Sequence, residues 1–104
     1  MINSRNKGKR GELELVGLLS EYWPECCRNI DQFKDDKRDV LHTPGVHWQV
    51  KRVEKLNIWA ALQQAEGEAA EHDVPVVAFR RNRSGWKAAL DLHELVALLR
   101  LKEF

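Results

Sequence analysis

Apolar positions along this chain recur with two different periods, and the alternation between them sets out its elements. Leu13, Val16, Leu19 and Tyr22 recur at helical spacing after Gly11 and predict an amphipathic helix from Lys9 to Tyr22, ended by Pro24. Cys26 to Ile30 reads as a short strand, Asp31 to Lys37 as a polar loop, and Val40 with Leu41 as a second strand continuing from Asp39. Thr43-Pro44-Gly45 signals a turn, because proline presets φ and glycine is free to take φ > 0. His47 to Val53 follows as the third strand. Asn57 is an N-cap for a helix from Ile58 to His72, with Ile58, Ala61, Leu62 and Ala65 on one face. The continuous apolar run Pro75 to Phe79 marks a central strand covered on both faces. After a basic turn, Arg80 to Gly85, comes a strand from Trp86 to Leu90. Asp91 and Glu94 then make a capping-box-like start for a last helix, Leu92 to Leu101. The order α-β-β-β-α-β-β-α predicts an α/β domain: one mixed sheet with helices packed on it.

Strand side chains alternate with period two, so Gln49 and Lys51 project to one face and Val50 to the opposite layer. If the strand that begins at Asp39 is the hairpin partner, the side chains of Asp39, Gln49 and Lys51 converge. A divalent cation and a phosphate fit such a point, with oxygen ligands beside an ammonium.

Asp39 followed by Gln49-Val50-Lys51 resembles the PD-(D/E)XK nuclease signature. Lys7-Gly8 followed by Glu12 resembles the opening of the archaeal and phage Holliday junction resolvases, and order and spacing agree from about Lys7 to about Leu99. The resemblance implies a restriction-endonuclease-like mixed β-sheet flanked by helices. It also implies a metal-dependent DNA endonuclease, structure-selective on branched DNA. Mg²⁺, with Mn²⁺ able to substitute, would be held by Glu12, Asp39, the Gln49 side chain and the Val50 backbone carbonyl. Lys51 would orient the attacking water or stabilise charge on the phosphate. Gln64 matches a glutamine that some relatives turn toward the site, an accessory role, although a helix-surface amide is its plainer reading. Symmetric resolution of a four-way junction implies a two-fold homodimer. Two alternatives stay open: a monomeric flap or nicking nuclease of the VRR-NUC kind, and a catalytically silent DNA-binding module of the same fold.

One position departs from the pattern. Gln49 stands where the family usually has glutamate or aspartate, and a neutral amide oxygen binds a hard cation less strongly than a carboxylate. Mrr-type restriction nucleases are similar in using Gln-x-Lys. Either Glu12 and Asp39 supply the negative charge, or Gln49 is an inactivating substitution. Glu12 also has a plain structural role, since an early carboxylate stabilises a helix through its macrodipole.

Length and charge refine this picture. The 104 residues make a single small domain, with residues 1–8 expected as a mobile basic arm. The net charge is only +1, but its distribution is uneven. Basic residues gather as Arg5, Lys7, Lys9 and Arg10, as Lys51, Arg52 and Lys55, and as Arg80, Arg81, Arg83 and Lys87. Acidic residues gather on the second helix as Glu66, Glu68 and Glu71. A basic face opposite an acidic one suits a phosphate backbone, and these basic residues are the expected DNA contacts. Adjacent Cys26 and Cys27 read as reduced packing residues, and no Cys/His spacing resembles a zinc site. None of the four histidines pairs with a serine or cysteine in a nucleophile motif. Among the tryptophans, Trp48 is expected in the core, and Trp86 either in the core, on a base or at a subunit contact. No stretch approaches the roughly 18 apolar residues of a membrane span, and no apolar run follows the basic N-terminus as in a secretory signal. The expected location is the cytoplasm of a bacterial or phage-infected cell.

Overall fold

A helix with a glycine near its middle lies against a strand at close range, and this contact organises one side of the molecule. The computed structural model describes residues 4–30 and 36–101, with side chains from Gly8 onward. The element order is α1 (Ser4–Leu19), β1 (Cys27–Arg28), β2 (Val40–Leu41), β3 (Val46–Arg52), α2 (Ile58–Glu68), β4 (Val74–Arg80), β5 (Lys87–Ala89) and α3 (Leu92–Arg100). It is an α/β structure in the expected order. α1 begins earlier than expected, so residues 4–8 continue the helix rather than forming an arm. Residues 1–3 lie outside the described residues, as does most of the polar loop.

The strands divide into two sheets where one was expected. β1 and β2 pair antiparallel on their own, while β3 pairs parallel with β4 and β4 antiparallel with β5. The reason lies just after β2. His42 takes a left-handed conformation (φ 67°), and Gly45 (φ 85°) then completes a tight turn closed by the Val46 N–H on the Thr43 carbonyl at 3.2 Å. Backbone bent this sharply keeps β2 from forming a continuous ladder with β3. A backbone hydrogen bond links the two sheets at their junction, from the Asp39 N–H to the Trp48 carbonyl at 3.0 Å.

Sheet β3-β4-β5 lies between two helices. Trp48, Val50 and Ala78 face α1, packing with Leu15, Leu19, Cys26 and Val40. Val77 and Phe79 face α2, packing with Ala61 and Ala65. The buried stripe of α1 is thus Leu15 and Leu19, whereas Leu13 and Tyr22 of the expected face are exposed. Gly11 explains the rotation: a Cβ there would lie 2.8 Å from the Arg52 Cβ, so only glycine lets α1 seat at this depth. α2 starts as expected, with the Asn57 side chain accepting the Ala60 N–H at 3.1 Å, but ends at Glu68, short of His72. Trp23 and Trp48 meet edge to face at 6.5 Å, and Trp86 packs on the α1 side, so both Trp48 and Trp86 belong to the core. Cys26 is buried, and burial pushes its thiol pKa up, whereas Cys27, expected as a packing residue, is exposed. α3 departs most from expectation: capped by Asp91, it has no buried residue, and Leu92, Val96 and Leu99 stay largely exposed. Among the described residues no helix is long and apolar enough to cross a membrane.

Substitution Gly11→Ala should destabilise the fold by roughly 1–3 kcal/mol, because the Arg52 Cβ is fixed to the strand and cannot give way. Gly17→Ala, exposed and with open space around it, should stabilise by up to about 1 kcal/mol through helix propensity. Thermal midpoints of the two variants should move in opposite directions; a Gly11→Ala midpoint at or above the native one would refute the close contact.

Candidate active site

Asp39 enters β2 with its backbone held from two sides. Its N–H is bound by Trp48, and its carbonyl accepts the Asn29 N–H at 3.0 Å. Asn29, itself buried, also holds the approach to the site, its Nδ2 donating to the carbonyls of Asp36 (3.0 Å) and Arg38 (2.8 Å). The Arg38 guanidinium clasps the Asp36 carboxylate, which brings the Asp36 pKa down to about 2.

The Asp39 side chain is 5% exposed and turns onto β3. Its Oδ2 accepts the Val50 N–H at 2.7 Å and Gln49 Nε2 at 3.4 Å. β3 is an edge strand of its sheet, so on this side a carboxylate substitutes for a ladder partner. The N–H and C=O of one strand residue point the same way, so the Val50 carbonyl leaves from the same edge. A carboxylate only accepts, which obliges the Gln49 amide to present nitrogen to Asp39. Gln49 Oε1 is left buried with no hydrogen-bond partner. Leaving such a group unmatched costs about 1–3 kcal/mol, and its natural complement is a donor or a cation.

Lys51 lies on the same face as Gln49, half-buried, with its Nζ donating to Gln64 Oε1 of α2 at 3.3 Å. Gln64 Nε2 in turn donates to Glu68 at 3.4 Å, so Gln64 faces the motif lysine. Glu12, on α1 in the other layer, accepts from Arg28 Nε of β1 at 2.8 Å. The structure thus brings Asp39, Gln49 and Val50 together, sets Lys51 against Gln64, and ties Glu12 to Arg28. Among the described residues no three histidine, cysteine, aspartate or glutamate side chains gather closely enough to hold a metal ion. A cation here would rest on Asp39, the unpartnered Gln49 oxygen and the Val50 carbonyl, a lean oxygen set of the kind magnesium completes with water.

The basic residues fall into two groups. Arg52 is bound to Glu14 (3.1 Å) and Asn82 (3.1 Å), and Arg80 also reaches Glu14 (3.4 Å), so both are engaged inside the fold. Lys9, Arg10, Lys55, Arg81 and Arg83 are exposed, and Arg83 takes a left-handed φ of 65° that favours glycine. The side chains of Arg5 and Lys7 lie outside the described residues.

Sequence reasoning missed Glu14, Arg28 and Asn29, whose partners are distant in the chain, and it missed His47. His47 shares the strand face of Gln49 by simple alternation, is 1% exposed, and has an unpartnered Nε2. Burial pushes its pKa below the ordinary value, while the carboxylates of Glu68, Asp73 and Asp36 pull the other way and Arg38 adds to the lowering. The chain matches no family model, no curated protein and no solved structure.

Well above pH 6.5, the ordinary histidine value, His47 is neutral in both the folded and unfolded chain. Below it, the unfolded chain takes up a proton that the folded chain resists, so stability falls as pH drops through this range. Thermal midpoints measured downward from pH 7 should fall more steeply for the native protein than for His47→Gln. Parallel curves would show that His47 does not titrate this way. Separately, Gln49→Glu places two buried carboxylates side by side, which repel unless a cation joins them. Its midpoint should lie below the native one in EDTA and rise further on adding Mg²⁺; equal Mg²⁺ responses would remove the cation from this edge.

Proposed function

We propose that this chain is a metal-dependent DNA endonuclease of the PD-(D/E)XK kind, with a restriction-endonuclease-like fold, acting on branched DNA as Holliday junction resolvases do. The observation that carries the reading is the edge of β3, where a buried carboxylate holds the Val50 N–H and the Gln49 amide while Gln49 Oε1 remains unmatched. Lys51 stands two residues further on the same face. Asp39, the Gln49 oxygen and the Val50 carbonyl would hold Mg²⁺ or Mn²⁺, which would supply Lewis-acid polarisation of the phosphate and a more acidic water.

The remaining work falls to the chain. The Lys51 ammonium, held by Gln64, meets the negative charge that builds on the phosphate during attack. Glu12, secured by Arg28, brings further negative charge to the α1 side. Asp39 stays in register because the Val50 N–H and its own backbone bonds fix it. Exposed Arg81, Arg83 and Lys55 at the far end of the sheet, with Lys9 and Arg10, attract the DNA backbone. The setting consistent with this activity is the cytoplasm of a bacterial or phage-infected cell.

A second reading has its own support. The Gln49 Nε2 proton already occupies Asp39 Oδ2, and a glutamine adds no charge, so a DNA-binding module without cleavage would also use this arrangement. Cleavage of a labelled four-way junction in Mg²⁺ and Mn²⁺, with linear duplex and flap controls, separates the two. Paired symmetric nicks confined to the junction support the resolvase reading, whereas flap cleavage moves it to a flap nuclease. Lys51→Ala should lower the cleavage rate by about 10²-fold or more while DNA affinity changes little. Undiminished cleavage in that variant would remove Lys51 from the chemistry.

A further inference from the structure

The sheet register aligns Lys51, Phe79 and Lys87 as partners across β3, β4 and β5. Paired positions share a face, and adjacent strands lie about 4.8 Å apart, so these side chains form one row beginning at the motif lysine. Beyond Lys51 the row opens into a hollow of about 350 Å³. Val53, Leu56 and Phe79 provide apolar lining, and Arg81, Ser84 and Lys87 polar lining.

The charges around this hollow are not equivalent. Glu54 Oε1 accepts the Asn82 N–H at 3.0 Å, and Arg80 reaches Glu14 on the α1 side. Arg81 and Lys87 are exposed, and among the described residues neither side chain has an ion pair or hydrogen bond. Ser84 fixes the turn that carries Arg81, its Oγ accepting the Arg81 N–H at 3.1 Å and donating to the Arg81 carbonyl at 2.9 Å. The left-handed Arg83 in the same turn keeps a charged side chain where glycine would be less strained.

An apolar recess with two uncommitted cations at its edge matches one chemistry well. A nucleobase presents two flat apolar faces, and its phosphate carries the negative charge. We infer that this hollow receives the base of an unpaired nucleotide next to the scissile phosphate, with the base against Phe79, Val53 and Leu56 and its phosphate between Arg81 and Lys87. A base stacked and paired in a continuous duplex cannot enter, because entry requires it to leave the stack. The site therefore favours DNA whose nucleotide at the cleavage position is unpaired or leaves the stack at low cost, as at a branch point or a gap. This inference rests on the nuclease reading and adds to it a determinant of substrate structure.

The test is binding in EDTA, where no cleavage occurs, read by fluorescence anisotropy on two labelled DNAs: a continuous duplex and the same duplex with a short single-stranded gap. Val53→Trp fills the hollow without changing any charge, and Lys87→Gln removes an exposed cation without touching the core. The native protein should prefer the gapped DNA. Val53→Trp should weaken gapped-DNA binding about tenfold, the worth of one lost base stack, and leave duplex binding within about twofold. Lys87→Gln should also weaken gapped DNA more than duplex. Equal affinity of native protein and both variants for gapped DNA overturns the recess while leaving the nuclease reading standing, as does an equal loss on both DNAs. Failure of the native protein to bind either DNA overturns both.

Discussion

A single carboxylate at an open strand edge ties the β1-β2 pair to the main sheet. Asp39 Oδ2 takes the Val50 N–H at 2.7 Å, filling a position that would otherwise be an unpaired donor on the rim of β3. That bond joins the β1-β2 pair to the main sheet beside the Asp39–Trp48 backbone contact. It also decides which way the Gln49 amide points, and so leaves Oε1 buried and unmatched. Asn29 and the Arg38–Asp36 pair keep the approaching segment in place, so the geometry at Asp39 does not depend on the side chain alone.

The two helices that cover the sheet divide the remaining roles. α1 sits deep on one face because Gly11 has no side chain to meet Arg52, and Glu14 on the same helix engages Arg52 and Arg80. Two basic residues near the motif are thereby committed to structure. The cations left exposed lie further along the sheet, in the turn from Arg81 to Arg83 and at Lys55 and Lys87. α2 covers the opposite face, where Gln64 meets Lys51 and Glu68 lies near His47. Lys51 and Gln64 therefore share the α2 side with the Glu68 carboxylate.

Much of this was legible in the chain because it depends on short-range rules. The period-two alternation placed Gln49 and Lys51 on one face, the Pro44-Gly45 turn was marked by its own residues, and Asn57 capped α2 as its chemistry requires. What stayed hidden depends on contacts between distant residues. The α1 stripe was misread because Leu13 and Tyr22 fit the helical period as well as Leu15 and Leu19 do, and only the Gly11–Arg52 approach decides between them. The division into two sheets follows from the left-handed backbone at His42, a residue type with no strong signal for it. The pairing of Glu12 with Arg28, and of Glu14 with Arg52 and Arg80, joins charges that sequence alone shows merely as a basic or acidic run. The Asp91 cap placed the start of α3, but the expectation that the helices pack on the sheet did not show that its leucines would stand exposed.

The central claim is that the Asp39 edge of β3 binds a divalent cation, and paramagnetic broadening by Mn²⁺ tests it directly. Amide resonances assigned by NMR would be followed as Mn²⁺ is added at substoichiometric levels. The account predicts selective broadening of the Asp39, Gln49 and Val50 amides and of the Gln49 side-chain NH₂, reversed by excess Mg²⁺. Broadening confined to the exposed carboxylates Glu66, Glu68 and Glu71, with the β3 edge unaffected, would contradict it.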